Sequence, residues 1–214
     1  MTAGSVCKRG VYAITDETQL PGSLLEERVT EALIGGISLL QYRNKKGNSA
    51  QRLLECQLLK SLCNQYDTPL LINDDVDLCI AVGADGVHLG QSDSGLEKAR
   101  LRLGDKAIIG ITCHSDLVLA QKAEKQGASY VAFGRFYPSS TKPLAAPASL
   151  EILHRARQTL ALPIVAIGGI NAENGAALLD AGADLLAVIH YLFAFPDVAV
   201  RIRQLNTLFV PSTT

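Results

Sequence analysis

Two cations and an amide alternate along Gln41-Tyr42-Arg43-Asn44-Lys45. In an extended chain alternate side chains share a face, so Gln41, Arg43 and Lys45 would stand together. Arginine offers a planar donor fork and lysine a mobile point charge, a pairing suited to clamping an oxyanion. The same composition also describes an ordinary exposed charge pair, the usual fate of these residue types. Asp74 and Asp93 are the acidic counterparts. Two carboxylates brought close repel unless a cation bridges them. Mg2+ is typically held by one or two carboxylates together with substrate phosphates and water. Asp74, Asp75 and Asp93 also suit the N-caps of helices that follow them, which explains each singly but not their place opposite a cationic strand. Gly168-Gly169-Ile170 and Ile189-His190 form a second anion candidate, because glycine lets backbone N–H groups approach a phosphate closely. A tight turn is the alternative. Residues 138–143 place Ser139, Ser140, Thr141 and Lys142 between two prolines, and read either as a loop folding over a ligand or as a solvated linker.

Other chemistries fit less well. His88, His114 and His190 invite a zinc hydrolase, but neither H-x-H nor H-E-x-x-H occurs and the acids fall elsewhere. No G-x-S-x-G or P-loop appears. No lysine lies within a predicted strand core, where a Schiff-base enzyme would tend to need one. Together, the residues suggest one site for a diphosphate, built from Arg43, Lys45, Lys142 and carboxylate-bound Mg2+. A second site, built from glycine amides and hydroxyls, suits a monophosphate. Two phosphorylated small-molecule substrates are therefore expected, one of them activated by a diphosphate leaving group.

These residues need elements that bring them to one place. Short apolar runs rich in Val, Ile and Tyr predict strands over 10–15, 38–43, 69–73, 86–89, 107–112, 130–134, 163–167 and 185–189. They lack clean alternation, as expected of strands covered on both faces. Between them, helical spacing covers 23–34, 49–66, 115–126, 148–160 and 171–181, with short helices beginning near Val76 and after Asp93, and 197–209 closes the chain. Glycine followed by a short turn into a strand recurs at Gly35-Gly36, Gly83, Gly127 and Gly182. Strict strand–helix alternation demands parallel strands with right-handed crossovers. The expected architecture is a single-domain (β/α)8 barrel over 1–214, with short flexible termini at about 1–8 and 210–214. An open doubly wound sheet is the competitor, but the turn after its first strand usually reads G-x-G-x-x-G, and here it reads Ile14-Thr15-Asp16-Glu17. In such a barrel the active site lies where strands end. The candidates above all fall at predicted strand ends or in the loops that follow them. The segment 191–194 could be the short extra helix that often completes a phosphate site in this fold.

Composition narrows the classes further. The AVILMFWYC set makes up 48% of the 214 residues and DEKR only 19%, so a self-sufficient core is expected and disorder is not. A net charge of −1 and a pI near 6.4 exclude a nucleic-acid or membrane surface built on bulk charge. There is no apolar run of bilayer length, and the opening MTAGSVCKRG lacks a secretory stretch. Cys7, Cys56, Cys63, Cys79 and Cys113 form an odd set without C-x-x-C, which points away from a disulfide framework and towards the cytoplasm. Cys113 reads as core. Homo-oligomerisation is left open.

The chain resembles the thiamine-phosphate synthase family over nearly its full length. The resemblance rests on Gly10-Val11-Tyr12-Ala13-Ile14-Thr15-Asp16, Gln41 to Lys45, Ile72-Asn73-Asp74-Asp75, the run from Gly83 to Gln91 with Asp93, residues 138–142, Ile167-Gly168-Gly169-Ile170 and Val188-Ile189-His190. It implies a (β/α)8 transferase joining 4-amino-2-methyl-5-(diphosphooxymethyl)pyrimidine to 4-methyl-5-(2-phosphooxyethyl)thiazole or its carboxylated form, releasing pyrophosphate. It further implies that Gln41, Tyr42, Arg43, Asn44, Lys45, Asn73, Thr112 and Lys142 contact the pyrimidine diphosphate, with Arg43, Lys45 and Lys142 catalytic. Asp74 and Asp93 would hold Mg2+, and Ser139, Ser140, Thr141, Gly169, Ile189 and His190 the thiazole phosphate. The family more often carries serine at Thr112 and His190, and proline at Arg135. The rivals are a thiazole tautomerase on the same barrel, using His114 as acid and base, and a non-catalytic barrel that binds phosphorylated ligands.

Overall fold

A computed structural model describes residues 8–91, 95–138 and 146–210. Apart from Lys8 and Val210, the terminal stretches expected above lie outside the described residues. So do Asp93, Ser139, Ser140, Thr141 and Lys142.

Eight parallel strands close into a barrel in chain order: β1 (Gly10–Ile14), β2 (Leu39–Tyr42), β3 (Leu70–Asn73), β4 (Gly86–Leu89), β5 (Ile108–His114), β6 (Tyr130–Gly134), β7 (Ile164–Ile167) and β8 (Leu185–Val188). The chain is a (β/α)8 barrel. Around it run α1 (Leu24–Gly35), α2 (Ser49–Gln65), α3 (Val76–Val82), α4 (Leu96–Leu103), α5 (Leu117–Lys125), α6 (Leu150–Thr159), α7 (Gly175–Asp180), α8 (His190–Phe193) and α9 (Val198–Thr207). None of the described helices is long and apolar enough to cross a membrane.

Each strand buries both faces, which explains the continuous apolar runs. Tyr12, Leu39, Leu71, Ile108, Tyr130, Val165 and Leu185 fill the barrel interior. Their neighbours Val11, Leu40, Ile72, Ile109, Val131, Ile164 and Leu186 pack outward against the helices. Element ends differ from expectation by a residue or more in several places, and two of the differences have a local cause. Strand β5 runs on to His114, through a register shift between Thr112 and His114. Helix α7 starts later than the apolar spacing predicts, because Asn171 accepts from the N–H groups of Glu173 and Asn174 while Asn174 accepts from that of Asn171. Asparagine side chains here replace the helical hydrogen bonds with a local turn.

The recurring glycine turns share one mechanism at the N-terminal end of the barrel. Gly36 (φ 86°) and Gly83 (φ 63°) reverse the chain in the left-handed region. A polar residue then enters the next strand. Asp85 accepts from the Leu70 N–H at 2.9 Å, Ser129 from Ile109 at 3.0 Å and Asp184 from Ile164 at 2.8 Å. Each is also reached by a cation of an even-numbered helix: Lys60 of α2, Arg100 of α4 and Arg157 of α6. Three hydroxyl or carboxylate staples of this kind fix the register of successive strand pairs at the end away from the cavity described below. Asp184→Ala leaves the fully buried Ile164 without its carboxylate acceptor. The loss of such an acceptor costs about 1–3 kcal/mol. The expected result is a lower urea midpoint with an unchanged slope, and an unaltered midpoint would contradict the assignment.

Candidate active site

At the C-terminal ends of the strands the barrel opens into a cavity of about 770 Å³. Strand parity decides who reaches it. Gln41, Arg43 and Lys45 line it, as alternation requires. Tyr42 and Asn44 do not. The Tyr42 hydroxyl donates to Glu55 at 2.6 Å and Asn44 Nδ2 donates to the same carboxylate at 3.0 Å, both in the layer between barrel and α2. Burial, then the Glu55 carboxylate, raises the Tyr42 phenol above its ordinary range. These two side chains anchor β2 to α2 and stand away from the face that Gln41, Arg43 and Lys45 share.

Arg43 and Lys45 differ sharply in setting. The Thr15 hydroxyl accepts from the Arg43 N–H at 2.8 Å, and Arg43 Nη1 faces Asp16 at 3.5 Å and Glu17 at 3.7 Å. Sequence reasoning placed Asp16 at the rim but missed that it and Glu17 offset the arginine. Lys45 Nζ pairs only 3.0 Å from Asp74 Oδ2, with the lysine side chain 54% exposed. An exposed pair of this kind contributes about 0–1 kcal/mol, so either partner can exchange it for another charge at little cost.

Asp74 stands apart from Asp75. Asp75 caps α3 by accepting from Leu78 N–H at 2.9 Å and pairs with Arg52 at 2.9 Å. Asp74 lines the cavity in a left-handed conformation, φ 62°, with Asn73 Nδ2 at 2.5 Å from Oδ2 and Gly90 N at 3.3 Å from Oδ1. A non-glycine residue held in this region is a functional indicator. Its hard oxygen atoms suit Mg2+. Among the described residues no group of three His, Cys, Asp or Glu forms a protein cage.

Further round the rim, Gly168, Gly169, Ile189 and His190 line the same cavity. A Cβ on Gly168 would meet Arg135, and one on Gly169 (φ 66°) would meet Tyr137 and Pro138. Close passage of the segment after β6 therefore demands these glycines, whatever ligand they also serve. His190 opens the short helix α8, with Gln19 Nε2 at 3.3 Å from its Nδ1 and the Phe195 ring edge-on at 5.7 Å. His114 and Arg135 also line the cavity. The floor also holds two tyrosines to which sequence reasoning gave no role. Tyr12 and Tyr130 meet at 2.9 Å between hydroxyls, and His88 lies between Tyr130 and Thr112 at 2.8 Å from each. The signal was present in strand parity: Tyr12 shares the face of Ile14, and Tyr130 that of Ala132.

A family model described as thiamine monophosphate synthase matches residues 11–192. The chain is 54% identical to the thiamine-phosphate synthase of Saccharophagus degradans over 92% of both chains. It is 50% identical to that of Thiobacillus denitrificans over 94% of both. Among solved structures it superposes on a thiamine phosphate pyrophosphorylase from Pyrococcus furiosus with a TM-score of 0.85 and 34% identity, covering 95% of this chain and 96% of the other. A geranylgeranylglyceryl phosphate synthase of Thermoplasma acidophilum, 17% identical with a TM-score of 0.71 over 94% of this chain and 93% of the other, shares the fold.

Cys113 adjoins Thr112 but faces away from the cavity and is fully buried, as are Cys56 and Cys63, with Cys79 1% exposed. Burial pushes the Cys56, Cys63 and Cys113 thiols up to about 12 and the Cys79 thiol to about 11. The thiolate is the reactive form, and a raised pKa keeps it scarce at pH 8. All four are expected to resist Ellman's reagent at pH 8 in the native protein and to react on unfolding in guanidinium. Prompt labelling of Cys113 in the native state would refute its placement in the core.

Proposed function

The chain belongs to the thiamine monophosphate synthase family, and from that membership we propose how its cavity carries out the reaction. It is an enzyme that forms thiamine phosphate and pyrophosphate from a pyrimidine methyl diphosphate and a thiazole phosphate. The observation that carries the reading is the single cavity that joins Arg43, Lys45 and Asp74 at β2 and β3 to Gly169, Ile189 and His190 at β7 and β8. One cavity thereby brings a diphosphate site and a monophosphate site within reach of each other.

Gln41, Asn73 and Thr112 hold the pyrimidine, and Arg43, Lys45 and Lys142 hold its diphosphate. The C–O bond to the diphosphate breaks first, and its electron pair leaves on the departing oxygen. The electron-rich aminopyrimidine delocalises the positive charge left on the exocyclic carbon. Lys45, released from Asp74, and Lys142 neutralise charge as it grows on the leaving group. Arg43, already offset by Asp16 and Glu17, orients the diphosphate more than it neutralises it. Asp74 and Asp93 would hold Mg2+, which would supply further positive charge against the leaving group. Gly169, Ile189 and His190, with Ser139, Ser140 and Thr141, seat the thiazole phosphate so that its ring nitrogen forms the new N–C bond. That nitrogen carries no proton, so no general base is needed. Rate enhancement comes from positioning and leaving-group stabilisation. The reaction fits a cytoplasmic setting.

The test is the release of pyrophosphate in equal amount to thiamine phosphate, only with both substrates present. A tautomerase or a ligand-binding barrel releases none. Lys45→Ala is expected to lower kcat by about 100-fold, on the scale of removing one preorganised electrostatic contact. It should leave the KM for thiazole phosphate within twofold. Asp74→Asn should move the Mg2+ titration to higher concentration as activity falls. A normal Mg2+ titration in that variant rules out the metal assignment.

A further inference from the structure

Lys45 carries much of the chemistry assigned above, yet the contact at its head group is too weak to aim it. Its pair with Asp74 is half exposed and contributes too little to fix a loop. The direction of the side chain is therefore set by the backbone on either side of it. Asn44 closes that backbone into a turn. Its Oδ1 accepts from the N–H of Lys46 at 3.1 Å and from that of Gly47 at 2.7 Å. A Cβ at Gly47 would fall on the Asn44 amide, so the turn closes tightly on that side chain. With Oδ1 committed, Nδ2 must point the other way as a donor, and it meets Glu55 Oε2 at 3.0 Å. The same oxygen accepts from the Tyr42 hydroxyl at 2.6 Å, and Oε1 accepts from Gln51 Nε2 at 2.8 Å. Arg43 is held separately, by Thr15, Asp16 and Glu17 beyond the end of β1.

We propose that Glu55 is a positioning residue: from α2, outside the cavity, it acts through Asn44 to aim Lys45 at the departing diphosphate. Helix α2 is a firm base for this, since Cys56, Leu59 and Cys63 bury its inner face against the barrel. Glu55 ties that base to the strand end at Tyr42 and to the turn at Asn44. Asn44 in turn fixes the backbone just beyond Lys45. The lysine then keeps only its side-chain torsions, which sweep the arc in front of Asp74. A long, exposed side chain is thereby held near its task without a strong contact of its own, and it stays free to follow charge. What the brace needs from residue 55 is an oxygen that accepts twice at the Oε2 position, not a negative charge. This inference rests on the reaction assigned above, in which Lys45 neutralises the leaving group.

Glu55→Ala removes the acceptor that Tyr42 and Asn44 share. It is expected to lower kcat about tenfold, as a misplaced charge would, and to leave the KM for thiazole phosphate within about twofold. Glu55→Gln can set its carbonyl oxygen where Oε2 stands and turn its amide to Gln51, which can rotate to accept. Its kcat should therefore stay within about twofold of wild type. In a Lys45→Ala background, Glu55→Ala should lower kcat by less than about twofold more, because the group it aims is gone. A merely structural role gives the full tenfold loss there too, and that result overturns the proposal. So does an unchanged kcat in Glu55→Ala, or a Glu55→Gln variant as slow as Glu55→Ala. Asn44→Ala, expected to behave as Glu55→Ala in both backgrounds, replaces it in the cycle should Glu55→Ala fail to fold. Amide exchange followed by 15N NMR reads the turn without turnover. The Lys46 and Gly47 N–H groups should be protected in wild type and exchange about tenfold faster in Glu55→Ala. Equal exchange in the two proteins overturns the proposal. Wild-type protein that releases no pyrophosphate removes the reaction assignment alone, and the exchange rates still decide whether Glu55 holds the turn.

Discussion

Closure of eight parallel strands into a ring leaves every side chain one of two destinations, the axis or the helical layer. That parity governs the rest of the molecule. It sends Gln41, Arg43 and Lys45 to the cavity and Tyr42 and Asn44 to Glu55, although the five residues are consecutive. It also sets Tyr12, His88, Thr112 and Tyr130 facing one another from different strands. The opposite end of the barrel pins the parity. Asp85, Ser129 and Asp184 hold the first residues of neighbouring strands by side chain and backbone together. A slip of one residue in any strand would exchange its cavity and helix faces. The staples at one end thus protect the chemistry at the other.

The rim above that frame is arranged for exchange rather than for stability. Lys45 and Asp74 meet in a half-exposed pair that solvent screens. Such a contact keeps two opposite charges poised near each other without committing either. On the proposed reading, an arriving diphosphate and a divalent cation would each offer them a stronger partner, and the resting pair would oppose binding little. Arg43 is the contrast. Its two carboxylates and Thr15 fix it in a more buried place. One cation is fixed among its partners and the other is held in an exposed pair.

Much of this was legible in the residues. The alternating elements gave the barrel, and the types at strand ends gave the rim. The clamp Gln41, Arg43, Lys45 was readable because alternation needs nothing beyond extended backbone. Tyr42 and Asn44 belong to the same motif, but parity turns their side chains to the helical layer. Asp74 and Asp75 were indistinguishable as letters. Only the left-handed turn at Asp74 and the α3 cap at Asp75 separate them. The pairing of Arg43 with Asp16 lies 27 positions apart in the chain and depends on β1 lying beside β2, which no local pattern states. The polar floor escaped notice for a different reason. Tyr12 and Tyr130 count as apolar residues in a strand search, and their hydroxyls matter only once Gly110 lets the rings meet over the axis.

Floor and rim consequently answer different demands. The floor is dry and fixed, with Tyr12 and Tyr130 buried and their hydroxyls 2.9 Å apart, and a mismatched group placed against it would be left unpaired. A leaving group must be met by charge that arrives as its own charge develops, and this asks for side chains that can shift. The barrel supplies both in one cavity because distance along its axis sets exposure. Residues one turn of the pleat deeper, such as Tyr130, are sealed from water, while Lys45, beyond the strand end, reaches solvent.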